Sequence, residues 1–164
     1  MKLLLSIVTA LTLAAPAAAQ QTVFVVRHAE RADTASGGSP MMATDPDLSD
    51  AGRARAQSLA AVLKDAKITA IYTTQYKRTQ LTAEPLAKAL GIQSTAVNSK
   101  DVAGVVENLK SGGNALVVGH SNSVGLIIQQ LGVTEPVKLS DADYDNLFIV
   151  VVGEKPTLIR LHFR

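Results

Sequence analysis

The sequence predicts an α/β fold in which a mostly parallel central sheet is covered by helices on both faces. Short apolar runs rich in β-branched residues alternate with longer segments of helical periodicity, the pattern of strand–helix–strand units. The runs at 23–26 and 115–118 are apolar throughout, as expected for parallel strands buried on both faces. Helices on both faces of such a sheet make a three-layer α/β/α sandwich.

The first 19 residues are predicted to be a cleaved signal peptide rather than part of this domain. Lys2 precedes an apolar run at 3–13, and small residues follow as far as Ala19. This order of segments, with cleavage after Ala19, is typical of secretory signals. The apolar run is shorter than the roughly 20 residues that span a bilayer, so a membrane anchor is the weaker alternative. We therefore expect an exported protein, periplasmic or secreted, with one domain at 20–164.

The predicted elements are bounded by recognisable start and stop signals. A helix at 50–66 begins at a cap residue, Ser49 or Asp50, and a helix at 77–90 ends at Gly91. Gly132 closes the last predicted helix. The predicted strands lie at 22–26, 70–73, 94–97, 115–118, 147–152 and 157–163, and the predicted helices at 50–66, 77–90, 101–110 and 123–131.

Residues 32–47 are predicted to form a long loop. Gly, Ser, Pro and Asp are frequent in this stretch, and it has neither a helical nor a strand period. A structureless connection of this length is usually functional or disordered. It is the segment of the sequence that offers a candidate lid over a site.

Composition excludes several classes of function. The chain has no cysteine, so thiol catalysis is excluded and the core must be stable without disulfides. Its 16 Lys and Arg nearly balance its 14 Asp and Glu, and loss of Lys2 with the signal changes the formal charge from +2 to +1. With this balance and no basic run, we expect no nucleic-acid partner. We also expect no membrane partner after signal cleavage.

Polar side chains follow three of the predicted strands. Residues 27–30 (Arg-His-Ala-Glu) come directly after the first strand, and Arg78 lies in the first turn of the helix after the second. Residues 119–122 (Gly-His-Ser-Asn) follow the strand at 115–118. Ligands bind beyond the carboxyl ends of strands in such sheets, so we expect these groups to converge. The third histidine, His162, lies within the last strand and is interpreted as structural or merely exposed.

Two arginines and two histidines suit a phosphoryl group. Guanidinium forks match phosphate oxygens, and helix N-termini add N–H groups and a favourable dipole. A neutral imidazole can attack phosphorus, and nearby arginines disfavour its protonation. Phosphoryl transfer depends mainly on positioning and charge stabilisation, so this set is nearly sufficient without a metal, and we expect no cofactor. Two histidines without paired carboxylates or cysteines are also a poor set of metal ligands.

Four motifs resemble those of the histidine phosphatase superfamily, the phosphoglycerate-mutase-like enzymes, in the order in which that family carries them. The family's Arg-His-Gly triplet appears at 27–29, with Ala29 in place of the glycine. This change is mild because both residues are small. Residues 48–60 (LSDAGRARAQSLA) resemble its first-helix motif, and residues 71–87 (IYTTQYKRTQLTAEPLA) resemble its second-arginine motif. Residues 116–124 (LVVGHSNSV) resemble its second-histidine motif, so the likeness spans nearly all of the domain.

This resemblance implies a phosphoglycerate-mutase-like sandwich and a metal-independent histidine acid-type phosphatase that hydrolyses phosphomonoesters. His28 would be the nucleophile that becomes phosphorylated, and the substrate would be a phosphorylated small molecule or a phosphoprotein. The 41 residues between Arg78 and His120 leave no space for an inserted cap, which favours a phosphatase over a mutase. The residues expected to hold the phosphoryl group are Arg27, Arg78, His120, Ser121 (through its backbone N–H) and Asn122.

The general acid stays open between two carboxylates. Glu30 lies two residues beyond His28, although an ion pair with Arg31 explains it equally well. Asp101 lies in the zone where larger relatives of the superfamily carry a carboxylate. Glu107, in the same zone, is interpreted as a solvent-facing helix residue.

Two other functions also stay open. Residues 119–123 (GHSNS) lie where hydrolases place G-x-S-x-G, which would make Ser121 the nucleophile of an esterase. That interpretation lacks the final glycine and leaves both arginines without a role. The remaining members of the esterase triad would be His162 and one of Asp141, Asp143 and Asp145.

The second alternative is a phosphate- or phosphopeptide-binding module without catalysis, which would keep the pocket but lack a competent acid.

Overall fold

A computed structural model describes residues 20–32 and 45–163 of the chain. The predicted signal peptide and most of the predicted loop at 32–47, including any lid that it forms, lie outside the described residues. Within the described part, each predicted strand and helix is present with bounds shifted by a few residues. In chain order the elements are β1 (Thr22–Arg27), α1 (Asp50–Leu63), β2 (Ile68–Thr74), α2 (Lys77–Leu90), β3 (Thr95–Val97), α3 (Val102–Leu109), β4 (Asn114–Gly119), α4 (Ser121–Gln130), β5 (Asn146–Val151) and β6 (Thr157–His162).

The strands form one six-stranded sheet in the order β3-β2-β4-β1-β5-β6. The first four of these pair in parallel, whereas β5 is antiparallel to β1 and β6 is antiparallel to β5. Because β1 is flanked by β4, and β4 by β2, the carboxyl ends of these three strands are adjacent at one edge. The predicted α/β fold with a mostly parallel sheet is confirmed.

Alternate side chains of β1 enter two separate apolar layers. Val23 and Val25 pack with residues of α3 and α4 on one face, and Phe24 and Val26 pack with residues of α1 and α2 on the other. This arrangement explains the apolar run in β1, since no position faces water. Burial of a Val or Leu side chain contributes about 1.5–3 kcal/mol relative to exposure. Helices of these two pairs therefore make the outer layers of the sandwich.

Local capping signals explain most helix boundaries. Ser49 is the N-cap of α1 and accepts a hydrogen bond from Gly52 N at 3.1 Å. Gly91 ends α2 in the left-handed conformation, with φ of 66°. In contrast, α4 begins two residues earlier than predicted, because the Ser123 hydroxyl accepts from His120 N at 2.9 Å and makes His120 the N-cap. None of the helices among the described residues combines the length and apolarity needed to cross a membrane.

Candidate active site at the carboxyl ends of the strands

The two histidines that follow buried strands lie next to each other. In the parallel pairing of β1 with β4, Arg27 is in register with Gly119, and His28 N donates to Gly119 O at 3.0 Å. The next residue on each chain segment is therefore a histidine. The ring centroids of His28 and His120 are 5.4 Å apart, and both residues are buried.

Arg78 reaches the same edge from the first turn of α2. A threonine couples this turn to the end of β1: Ala29 N donates to Thr82 Oγ1 at 2.9 Å, and Thr82 Oγ1 donates to Arg78 O at 2.7 Å. Ala29 is only 1% exposed, so this position requires a small side chain. The electrostatic influence of both Arg27 and Arg78 on His28 and His120 agrees with this convergence.

One ring nitrogen of His28 is held and the other is left available. Nδ1 lies 2.8 Å from Ala29 O, and because a carbonyl can only accept, Nδ1 carries the proton of the neutral ring. Nε2 then bears the lone pair. This orientation is the one that an imidazole nucleophile needs.

His120 is held from the other side by a pair of threonines. Its Nε2 lies 3.0 Å from Thr74 Oγ1, which in turn lies 2.9 Å from Thr79 Oγ1. The Thr79 hydroxyl also has the Tyr76 carbonyl at 2.8 Å as an acceptor. These buried bonds fix the imidazole plane at the start of α4, where the first backbone N–H groups of the helix point outward.

Both histidines are held in the neutral form. Burial is the largest cause and lowers the pKa of His28 to about 3, with the charges of Arg27, His120 and Arg78 acting in the same direction. The hydrogen bond to Ala29 O opposes this shift. Burial, followed by the charges of Arg78 and Arg27, lowers the pKa of His120 to about 4. The predicted effect of the arginines is confirmed in direction, although burial outweighs it.

Arg27 is 7% exposed and is held by the segment that precedes β5. Its Nη1 donates to Ser140 O at 2.9 Å, and its Nη2 donates to the Tyr144 hydroxyl at 3.4 Å. The guanidinium carbon lies 4.2 Å from the centre of the Tyr144 ring. Asp141 Oδ1 lies 3.7 Å from Nη2 but is 95% exposed. Among the described residues, the buried Nε of Arg27 has no hydrogen-bond partner, which is unusual for a buried donor.

Arg78 has a similar arrangement on the opposite side. Its guanidinium carbon lies 4.3 Å from the centre of the Tyr76 ring. Asp45 Oδ1 lies 3.7 Å from Arg78 Nη1, and this carboxylate also accepts a hydrogen bond from Lys77 N at 3.0 Å, at the start of α2. The sequence analysis does not identify Tyr76, Tyr144 or Asp45 as site residues. Tyr76 lies within the second-arginine motif, two residues before Arg78, so that motif could have indicated it. No sequence pattern indicates Tyr144 or Asp45.

The structure gives Glu30 a different task from that of a general acid. Its carboxylate binds Arg55 of α1, with Arg55 Nε at 2.9 Å from both carboxylate oxygens and Nη2 at 2.6 Å from Oε1. Burial by itself raises the pKa of Glu30, but the Arg55 hydrogen bonds and charge outweigh it and hold the pKa below its usual value. A general acid needs the opposite shift. The carboxylate of Glu30 pairs with Arg55, whereas the ion pair that the sequence offered as an alternative is with Arg31.

The other carboxylates of the prediction also have local partners. Asp101 is the N-cap of α3 and accepts from Gly104 N at 2.8 Å, although it borders a small cavity shared with Thr73 and Gly119. Glu107 pairs with Lys110, and both side chains are exposed, as expected. Neither Glu30 nor Asp101 is thus placed as a proton donor by the contacts of the described residues. No group of three or more acidic, histidine or cysteine side chains able to hold a metal occurs there either.

The esterase interpretation does not fit the sheet order. His162 lies 3.2 Å from Asp145, but it belongs to β6, three strand positions away from β4. At about 4.8 Å per strand, this separation is roughly 14 Å, well beyond hydrogen-bond reach of Ser121. Ser121 and Asn122 are the first two residues of α4, so their backbone N–H groups lie beside His120.

The Glu30–Arg55 ion pair yields a prediction on stability and turnover. Replacing Glu30 with Gln should lower the free energy of unfolding by about 1–3 kcal/mol, since the guanidinium loses a charged, bidentate partner. The pKa of Glu30 is lowered in the folded state, so its contribution is present above pH 4.5 and is lost as pH falls through the folded pKa. Urea unfolding at neutral and acid pH measures both effects.

A matched control for this variant is Glu107→Gln, which removes an exposed ion pair and should change stability by less than about 0.5 kcal/mol. We expect the Glu30→Gln variant to hydrolyse an aryl phosphate, the reaction class that the sequence predicts, within about three-fold of the wild-type rate. A loss of turnover of 10²-fold, about the contribution of a general acid, would restore Glu30 to that role.

Comparison with known proteins agrees with this geometry. The model of the histidine phosphatase superfamily (branch 1) matches residues 23–101, which include Arg27, His28 and Arg78. No curated protein sequence matches the chain significantly.

Solved structures share its fold at low identity. The protein histidine phosphatase SixA complexed with tungstate is 19% identical with a TM-score of 0.67, covering 86% of this chain and 96% of that chain. The alpha-ribazole phosphatase from Shigella flexneri is 15% identical with a TM-score of 0.69, covering 86% and 96%. Phosphoserine phosphatase from Entamoeba histolytica, in complex with 3-phosphoglyceric acid, is 14% identical with a TM-score of 0.64, covering 88% and 96%. The matched family model and this shared fold make the chain similar to the histidine phosphatase superfamily.

Proposed function

We propose that the protein is a phosphatase that acts through a phosphohistidine intermediate on His28. The observation that carries this proposal is the state of the His28 ring: Nδ1 is bound to Ala29 O, and burial and two arginines keep the ring neutral. A neutral, oriented imidazole between two cations is suited to attack a phosphoryl group. Similarity to the histidine phosphatase superfamily supports phosphatase activity.

The proposed reaction has two steps. In the first, the lone pair of His28 Nε2 attacks phosphorus while the bond from phosphorus to the leaving oxygen breaks, and that oxygen takes up a proton from solvent. In the second, a water oxygen attacks the phosphohistidine and the P–N bond breaks. Inorganic phosphate leaves with the hydroxyl that the water supplied, and the other proton of the water returns to solvent. The electron pair of the P–N bond returns to Nε2, which restores the neutral ring.

The transferred phosphoryl group is proposed to sit against Arg27, Arg78, His120 and the N-terminus of α4. The two guanidiniums offset its negative charge, and the backbone N–H of Ser121 adds a donor from the helix start. Asn122 follows at the second helical position and is a further candidate contact. Because these groups are held by the fold before substrate binds, little reorganisation is needed as charge moves in the transition state.

The placement of the carboxylates bears on the substrate. With Glu30 paired to Arg55 and Asp101 capping α3, the site favours substrates whose leaving group departs without a proton from the enzyme. Aryl phosphates are of this kind. Phosphohistidine in a protein also belongs to this class, because its protonated imidazole leaves phosphorus as a neutral ring without taking a proton from the enzyme. A protein histidine phosphatase among the structural neighbours supports this second class.

A non-catalytic phosphate- or phosphopeptide-binding module is the alternative, and the same lack of a placed acid favours it. We also propose export to the periplasm or the medium, which rests on the signal-like order of residues 1–19 alone.

The test is hydrolysis of three substrates by the purified protein over a range of pH: an aryl phosphate, an alkyl phosphate and a phosphohistidine peptide. We expect release of phosphate from the aryl phosphate and the phosphohistidine peptide, little from the alkyl phosphate, and none above background with His28→Ala. Ser121→Ala should retain activity within about three-fold, because only its backbone N–H takes part. Binding of phosphate without hydrolysis of any substrate would favour the binding module, and loss of activity with Ser121→Ala would favour the esterase.

A further inference from the structure

Four aromatic rings form a row across the candidate active site. The Tyr144 ring centre lies 6.1 Å from that of His28, His28 lies 5.4 Å from His120, and His120 lies 5.5 Å from Tyr76. The two histidines are in the middle and a tyrosine stands at each end. The chain has only three tyrosines, so the site takes two of them.

The ring of each tyrosine at the ends of this row contacts the guanidinium of one of the two arginines. Arg27 lies 4.2 Å from the ring centre of Tyr144, and Arg78 lies 4.3 Å from that of Tyr76. Both distances are well inside the range of about 6 Å for attraction between a guanidinium and an aromatic face. Both tyrosines are half-buried.

Arg55 shows how a carboxylate partner affects an arginine side chain. The carboxylate of Glu30 occupies its Nε and Nη2 within 2.9 Å, so these donors and the positive charge are already used inside the protein. Arg27 forms its hydrogen bonds with a carbonyl and a hydroxyl and contacts a ring face. Asp141 and Asp45 lie 3.7 Å from Arg27 and Arg78, within ion-pair distance but beyond hydrogen-bond distance.

A ring face and a carboxylate therefore leave an arginine in different states. A ring attracts the guanidinium plane from above and fixes its orientation, while the N–H groups in that plane remain directed outward. An anion such as a phosphoryl group can then bind to a cation whose orientation is already fixed.

We propose that Tyr144 and Tyr76 are positioning residues that hold Arg27 and Arg78 face-on for the phosphoryl group. This inference rests on the proposed function only in so far as the anion at the site is a phosphoryl group. It does not depend on turnover, because a binding module would use the same arginines. Tyr144 acts from the segment before β5 and Tyr76 from the turn before α2, so the two contributions are independent.

The experiment is calorimetric titration of the purified protein with inorganic phosphate. We expect Tyr144→Leu and Tyr76→Leu each to weaken phosphate binding by about ten-fold, and the double variant by about a hundred-fold. Tyr144→Phe and Tyr76→Phe keep the ring and should bind within about two-fold of the wild type. Tyr144→Met, which keeps side-chain length without a ring, should match Tyr144→Leu and serves if the Leu variant fails to fold.

A double-mutant cycle separates positioning from a general loss of structure. In an Arg27→Gln background, Tyr144→Leu should cause no further loss of phosphate affinity, because its effect is transmitted through Arg27. Equal losses in both backgrounds, or Phe variants as weak as Leu variants, would overturn the proposal. Wild-type affinity in both Leu variants would do the same. A wild-type protein that binds no phosphate would instead refute the proposed function.

Discussion

Replacing His28 with Gln is expected to reduce hydrolysis by about 10⁴-fold or more, the loss typical of removing an enzyme nucleophile. Gln is similar in size and can still donate a hydrogen bond to Ala29 O, which accepts from His28 Nδ1 at 2.8 Å in the wild type. It has no ring nitrogen able to attack phosphorus. The loss should therefore appear in turnover while the protein stays folded.

The measurement is initial-rate kinetics with an aryl phosphate, combined with rapid quenching at alkaline pH to trap the phosphorylated protein. Mass spectrometry should locate the phosphoryl group on His28 in the wild type and find none on His28→Gln. His162→Gln is the matched control, since His162 lies in β6 and pairs with Asp145 outside the site. A phosphoryl group on Ser121, or turnover by His28→Gln close to that of the wild type, would contradict the mechanism.

The second large effect is expected in the dependence of activity on pH. At pH 5 a histidine with the ordinary pKa of about 6.5 is roughly 3% neutral, whereas a pKa lowered to about 3 leaves nearly all of His28 neutral. The nucleophile is thus about 30-fold more abundant at pH 5 than in an ordinary histidine. We expect kcat/KM, which reports the free enzyme, to persist well below pH 6.5.

Two measurements check this expectation. The profile of kcat/KM against pH must be corrected for the second ionisation of the substrate phosphate, near pH 6. Nuclear magnetic resonance titration of the imidazole nitrogens in the free protein gives the pKa directly, with His28→Gln used to assign the signal. An inflection of the His28 signal near pH 6.5 would show that burial and the arginines do not hold the ring neutral.

The same lowered pKa values make the folded state sensitive to acid. In the unfolded chain His28 and His120 take up protons near pH 6.5, but in the folded protein their pKa values are lowered to about 3 and about 4. Stability should therefore fall as pH decreases from about 6.5 towards 4. The site thus loses folding stability in acid in exchange for a nucleophile that remains uncharged.

Much of the secondary structure could be predicted because its signals are local. The bounds of α2 are those expected from sequence, since Gly91 can take the left-handed conformation that ends a helix. For α4 the sequence predicts a start at Ser123, two residues later than the observed start at Ser121. Its hydroxyl instead accepts from His120 N and draws that histidine into the cap.

In the candidate site, too, only the residues that a local sequence signal indicates could be predicted. Arg27, His28, Arg78 and His120 could be proposed together because each follows a strand, and parallel strands end at a common edge. The partners of these residues could not. Glu30 and Arg55 are 25 residues apart, and Arg27 and Tyr144 are 117 apart, so no local pattern relates them.

The class of fold, the four polar residues at the sheet edge and the family that they resemble all follow from the amino-acid sequence. The three-dimensional arrangement is needed to see that Glu30 pairs with Arg55, that two tyrosine rings contact the two arginines, and that Nε2 of His28 is the available nitrogen. Backbone periodicity and capping depend on neighbours along the chain, whereas ion pairing, ring stacking and burial depend on which distant segments the sheet order brings into contact.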